Sequence, residues 1–180
     1  MLTPRSAVTL NALGLYAIAL LLLAAFVFQF MLHELPCPLC LLQRVAFAAL
    51  AMGPVLNLRY GPRASHYALS LIAAVMGAGI AMRQVLLHIM PGDPGYGSAI
   101  FGYHYYTWAL VCFVVAIVLI AVVLLSDRQF DSRERPILGP FEKGAFWLVV
   151  AVIAVNALNV FVECGGNVCP DNPTTYLLLP

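Results

Sequence analysis

Residues 145–162 read AFWLVVAVIAVNALNVFV, an apolar run followed at once by Glu163-Cys164-Gly165-Gly166-Asn167-Val168-Cys169. A helix of roughly 20 apolar residues crosses about 30 Å of hydrocarbon, and this run decides the fold because it is the fifth of its kind. Working back along the chain, the others are Leu10–Met31, Leu41–Leu58, Tyr67–Met90 and Tyr106–Leu125. Five crossings put the two chain ends on opposite faces. They also put Cys37-Pro38-Leu39-Cys40, at the mouth of the second span, on the same face as Cys164 and Cys169. Composition agrees: 63% of the residues are hydrophobic and 9% charged, so apolar surface must face lipid. The expectation is an all-α membrane protein, a single bundle of five transmembrane helices over residues 1–180, with a tail over 163–180 and no separate soluble domain.

Arg5 ahead of the first run invites comparison with a secretion signal, but the run is too long for a signal h-region and no convincing small-residue cleavage site follows it. It is therefore kept as a span. Seven of the nine basic residues, Arg5, Arg59, Arg63, Arg128, Arg133, Arg135 and Lys143, fall in the N-terminal segment or in the second and fourth connections. The positive-inside rule makes those segments cytoplasmic, so the N-terminus is cytoplasmic and the C-terminus lies outside. Glu34–Cys40, Pro91–His104 and the tail Glu163–Pro180 then share the outer face, and none contains a lysine or arginine.

The two remaining arginines, Arg44 and Arg83, lie inside the outer halves of the second and third spans. An arginine in a span costs a few kcal/mol and usually faces the bundle interior or a cavity, or snorkels to the interface. With Pro38 at the first helical position, Cys40 and Arg44 sit one turn apart on one face. The partial positive charge of a helix N-terminus and the guanidinium both favour a thiolate there.

Cys-x-x-Cys is close enough to cycle between dithiol and disulfide, and disulfides persist on the extracytoplasmic side. Cys164 and Cys169 are joined by a glycine-rich loop suited to a travelling pair, and electron passage by thiol exchange needs one pair to approach the other. The competing readings are a zinc site built from the four cysteines and two inert structural disulfides. Cys112, alone in the fourth span, reads as a small hydrophobe.

Cys37-Pro38-Leu39-Cys40-Leu41-Leu42-Gln43-Arg44, opening a second membrane helix, together with Arg83-Gln84-Val85 late in the third, resembles the bacterial disulfide bond formation protein B family (DsbB and its DsbI-like relatives), over roughly Leu10 to Leu125. The resemblance implies an inner-membrane, periplasm-facing thiol:quinone oxidoreductase. It would reoxidise a periplasmic thioredoxin-fold dithiol oxidase (DsbA-like) and pass electrons through Cys164/Cys169 and Cys37/Cys40 to ubiquinone or menaquinone. On that reading Cys40 touches the quinone, Arg44 stabilises the charge there, Cys37 exchanges with Cys169, and Cys164 meets the partner. The family usually carries its second cysteine pair between helices 3 and 4, whereas Pro91–His104 has no cysteine and the pair stands in the tail. A relative of vitamin K epoxide reductase is the alternative with similar chemistry.

The connection Pro91–His104 is turn-rich, and Tyr103, Tyr105, Tyr106 and Trp108 read as an interfacial belt or as the wall of a quinone headgroup pocket. His88, about a turn beyond Arg83, is the preferred partner for a quinone carbonyl, with Arg83 beside it and His104 as the other choice. A haem protein is disfavoured because His33, His66 and His104 fall at or beyond span ends. Asn156 and Asn159 read as bonds between helices rather than a transport path, and Ala73, Gly77 and Ala81 as a packing face of small residues. No metal site, nucleotide loop or nucleic-acid motif is expected, and the bundle is read as a monomer.

Overall fold

The computed structural model describes residues 2–131 and 135–179. Arg133, one of the orienting basic residues, and Pro180 at the end of the expected tail lie outside the described residues. Helix α1 spans Pro4–Met31, α2 Pro38–Leu50, α3 Met52–Tyr60, α4 Ala64–Leu87, α5 Tyr105–Leu124 and α6 Pro140–Cys164. A two-residue hairpin, β1 Ala99–Ile100 with β2 Tyr103–His104, precedes α5. A short 3₁₀ turn covers Asp127–Phe130. Taking α2 and α3 as one span, five helices among the described residues are long and apolar enough to cross a membrane. Each reaches past at least one end of its expected run, because caps and turns extend helices where apolar residues stop. Thr3 and Ser6 form a capping box in front of α1, with Pro4 at its first position.

The second span is broken at Ala51, which the apolar pattern alone does not reveal. Pro54 has no N–H to offer the Leu50 carbonyl. The Ser70 hydroxyl of α4 donates to that carbonyl instead, at 2.7 Å. Gly53 lets the two helices come this close, since a Cβ there would run into Ser70 and the His66 carbonyl.

The buried face of α1 runs Val8, Ala12, Leu15, Ala19, Leu22 and Phe26 at helical spacing, while Leu10, Leu13, Leu20 and Phe30 point outward. Outward apolar side chains are what a lipid-facing surface requires. Helix α1 packs on α6, α2 on α4, and α4 on α5. Fully buried Phe113 of α5 stacks on Phe47 of α2 at 4.1 Å between centroids and fills the space left by Gly77 of α4. The small-residue face read from Ala73, Gly77 and Ala81 is buried in this contact.

At one end of the bundle the buried polar groups satisfy one another. Asn11 donates to the Tyr67 hydroxyl, Tyr67 to Gln129, and Asn57 to Asn11 at 2.7, 3.0 and 3.0 Å. The opposite end gathers the loops that five crossings assign to one face. Glu34 accepts from the Ser98 hydroxyl and N–H, Tyr96 donates to the Leu35 carbonyl, and the tail reaches α1 through Tyr176.

Replacing Gly77 by leucine forces the Phe113 ring out of its seat, an overpacking cost of about 1–3 kcal/mol. Gly14→Leu, where a Cβ meets nothing, is the control. Thermal unfolding in detergent is expected to show a lowered midpoint for Gly77→Leu and an unchanged one for Gly14→Leu.

Candidate functional site

Pro38 opens α2 and leaves Cys37 as its N-cap, with an extended backbone (φ −67°, ψ 164°). Its sulfur accepts the backbone N–H of Cys40 at 3.2 Å, the position a serine or aspartate oxygen usually takes. Fully buried Gln84 of α4 sits across from the pair. Its Nε2 donates to both sulfurs, at 3.3 Å to Cys37 and 3.5 Å to Cys40. Gln43 fixes that amide by donating to Gln84 Oε1 at 2.8 Å.

Cys37 and Cys40 are both free thiols here. The hydrogen bond from the Cys40 side chain is the main cause that brings the Cys37 thiol down to about 7, against burial and with help from the Cys40 N–H and Gln84. A thiolate on Cys37 is therefore favoured at the helix cap, where the Cys40 N–H and the Gln84 amide both point at its sulfur. Sequence reasoning weighed only the Cys40–Arg44 pairing for that charge.

Arg44 lies one turn below Cys40 and turns toward α1. Its guanidinium donates to Gln29 Oε1 at 2.8 Å and to the Ala25 carbonyl at 3.1 Å, and stands over the Phe26 ring. Gln29 in turn donates to Asn159 of α6 and to the Tyr176 hydroxyl, at 3.1 and 2.9 Å. Asn159 thus bonds between helices as its position implies, whereas Asn156 donates within its own helix to the Val152 carbonyl. An apolar cavity of about 380 Å³ opens beside Cys40 and Arg44. Phe28, Phe47, Tyr96, Tyr105 and Trp108 are among its walls.

Cys164 and Cys169 form a disulfide. The left-handed conformation of Gly165 (φ 58°) ends α6, and Gly166 (φ 78°) continues the turn; glycine takes this backbone without strain. Cys164 is buried at 4% exposure, while Cys169 is partly exposed. The chain then returns. Leu177 and Leu178 donate their N–H groups to the Glu163 and Val162 carbonyls at 3.1 Å each. The tail expected to be a mobile carrier is thus pinned on both sides of its cysteine loop.

The cysteine pairs, Arg44 and the cavity come together at one end of the bundle; two other expected residues stand apart. Arg83 is exposed on α4. His88 lies outside the cavity, paired with Asp93 at 2.9 Å and stacked on Tyr106, which also stacks on His104. Among the described residues no group of three or more His, Cys, Asp or Glu side chains is arranged to hold a metal ion. Sequence reasoning passed over Gln84, Gln29 and Glu163 as site residues. The signal was there for all three, since each is an uncharged or acidic polar residue inside, or at the edge of, an apolar span.

No solved structure matches the chain. Disulfide bond formation protein B of Xanthomonas euvesicatoria pv. vesicatoria (strain 85-10) is 49% identical over 86 residues, covering 45% of this chain and 50% of that protein. The protein of the same name from Xanthomonas axonopodis pv. citri (strain 306) is 48% identical, and that from Xanthomonas oryzae pv. oryzae (strain MAFF 311018) 45% identical, over the same shares. The chain spans about half the length of these curated relatives. The model of the family described as Disulfide bond formation protein DsbB matches residues 7–98, just over half of the chain. That match takes in α1 to α4 and stops ahead of α5, shorter than the resemblance read as far as Leu125. With the Cys37-Pro38-Leu39-Cys40 cap and Arg44 inside the matched region, the chain belongs to the DsbB family.

Proposed function

We propose that this protein is a membrane thiol:quinone oxidoreductase that reoxidises a periplasmic thioredoxin-fold dithiol oxidase, with its N-terminus in the cytoplasm and its cysteine-bearing end facing the periplasm. One observation carries the reading: a dithiol capped onto a helix N-terminus opens beside a buried arginine on an aromatic-walled cavity.

The cavity fits a quinone headgroup by its chemistry. Its flat aromatic walls suit a ring, and Gln29, Glu34, Gln43 and Arg44 are polar or charged side chains that line it together with Cys40. A quinone bound there accepts two electrons and two protons. Arg44, held by Gln29 and Ala25, offers positive charge beside Cys40 without having to move. Gln84 holds both sulfurs in reach of each other.

A partner dithiol reduces the Cys164–Cys169 disulfide and becomes a disulfide itself. The Cys164/Cys169 dithiol reduces a Cys37–Cys40 disulfide, and the Cys37/Cys40 dithiol passes two electrons to the quinone. Exposure favours Cys169 as the sulfur that a partner attacks, leaving buried Cys164 for exchange with Cys37. This order is the reverse of the one implied by the family's usual layout. Arg83 and His88, placed away from the cavity, are left with roles at the outer interface.

Purified protein is expected to oxidise a reduced thioredoxin-fold dithiol oxidase with quinone, and both Cys40→Ser and Cys164→Ser are expected to fall to background. Persistence of activity in Cys164→Ser would sink the two-pair relay. A second outcome concerns pH. Because the Cys37 thiol is lowered to about 7, its thiolate forms as pH rises through that value. Alkylation of the reduced protein at Cys37 should be half-maximal there. In Cys40→Ala, which removes the largest cause, the midpoint should move up toward the ordinary cysteine value of about 8.5.

A further inference from the structure

Glu163 is a buried acid that the electron path does not use. It is 1% exposed, and neither carboxylate oxygen has a hydrogen-bond partner. Its position is the last turn of α6, next to Cys164. The charged groups facing it are Arg44 of α2 and Cys37 ahead of α2. Tyr96 and Tyr176 are the titratable groups that share this surrounding, from the connection before α5 and from the tail. Helix α1 contributes only uncharged Gln29 and the Ala25 carbonyl, and these occupy Arg44 Nη1 and Nη2.

A buried carboxylate without hydrogen bonds is costly as an anion. It becomes tolerable when an unshared cation stands near, and intolerable when a second anion competes for that cation. Arg44 is one positive charge, and the thiolate of the Cys37/Cys40 dithiol and the Glu163 carboxylate are two candidates for neutralising it. Only the dithiol state has a thiolate. A disulfide between Cys37 and Cys40 carries no charge and leaves Arg44 to the carboxylate.

We propose that Glu163 is a redox-coupled proton store: it holds a proton while Cys37 carries the negative charge, and gives it up when Cys37 and Cys40 join as a disulfide. The balance is then complete. Cys37 thiolate, Cys40 thiol and Glu163 carboxylic acid become the Cys37–Cys40 disulfide and Glu163 carboxylate. Two electrons leave the sulfurs, one proton leaves Cys40, and one leaves Glu163. Two electrons and two protons are what conversion of a quinone to a quinol consumes, and a dithiol already lacking one proton cannot supply both alone. The inference takes its electron acceptor from the function proposed above, and its own test does not.

The test uses the full chain carrying Cys164→Ser and Cys169→Ser, so that only Cys37 and Cys40 cycle, with no quinone and no partner protein. Ferricyanide takes electrons without protons. About one unit above the Cys37 midpoint, its oxidation of the reduced protein is expected to release about two protons per disulfide, and about one in the Glu163→Gln variant. The infrared difference spectrum is expected to show a protonated-carboxyl C=O band in the dithiol form that disappears on oxidation. That band should be absent in Glu163→Gln and present, shifted, in Glu163→Asp. An unchanged proton count in Glu163→Gln, or a band that survives it, overturns the proposal. A chain that passes this test and reduces no quinone would keep the proton store and lose the quinone reading; a chain that reduces quinone but fails it would do the opposite.

Discussion

Everything at the cysteine-bearing end depends on how Arg44 is held. A guanidinium inside a membrane helix costs a few kcal/mol unless its donors and its charge are answered. Here the donors are answered by α1, through Gln29 and the Ala25 carbonyl. Because Gln29 also bonds Asn159 and Tyr176, one polar residue of α1 binds α2, α6 and the returning tail into a single unit. Lipid offers no substitute partners, so these bonds hold α1, α2, α6 and the tail together at the cysteine-bearing end. The opposite end of the bundle, with its self-satisfied asparagine, tyrosine and glutamine network, has no comparable unpaired group among its members.

The helix count and the shared face of the two cysteine pairs were legible in the sequence, because the thickness of hydrocarbon imposes a length on every crossing segment. The Cys37–Arg44 stretch was legible for a related reason. Proline at a helix start, a thiol one turn in and a cation one turn further follow from helix periodicity alone. What stayed hidden was lateral arrangement. Nothing in the apolar run of α6 marks α1 as its neighbour, since helices in lipid are not sorted by burying an apolar stripe. The contacts that do specify it are sparse polar ones, such as Tyr16 donating to the Phe141 carbonyl, Thr9 to Glu142, and Gln29 to Asn159.

Two details of the site escaped for local reasons. The break at Ala51 comes from the N–H that Pro54 lacks, and its resolution by a hydroxyl from another helix has no mark in the apolar run itself. The lowering of the Cys37 thiol depends on cap geometry: the Cys40 side chain donates to the N-cap sulfur first of all, and the Cys40 N–H and a buried glutamine side chain add further donors. Arg83 and His88 stand about a turn apart at the outer end of α4 and its cap, a spacing that suggests one shared site. The helix turns them away while it turns Gln84 in.

The loop closed by Cys164 and Cys169 is small, with a sequence separation of five. Cross-linking so short a stretch removes little freedom from an unfolded chain, and the segments on either side of it are fastened independently, by α6 before it and by Leu177 and Leu178 after it. Opening this bond therefore leaves the architecture as it was. The covalent link is a replaceable fuse rather than a rivet: the segments on either side stay fastened whether it is closed or open.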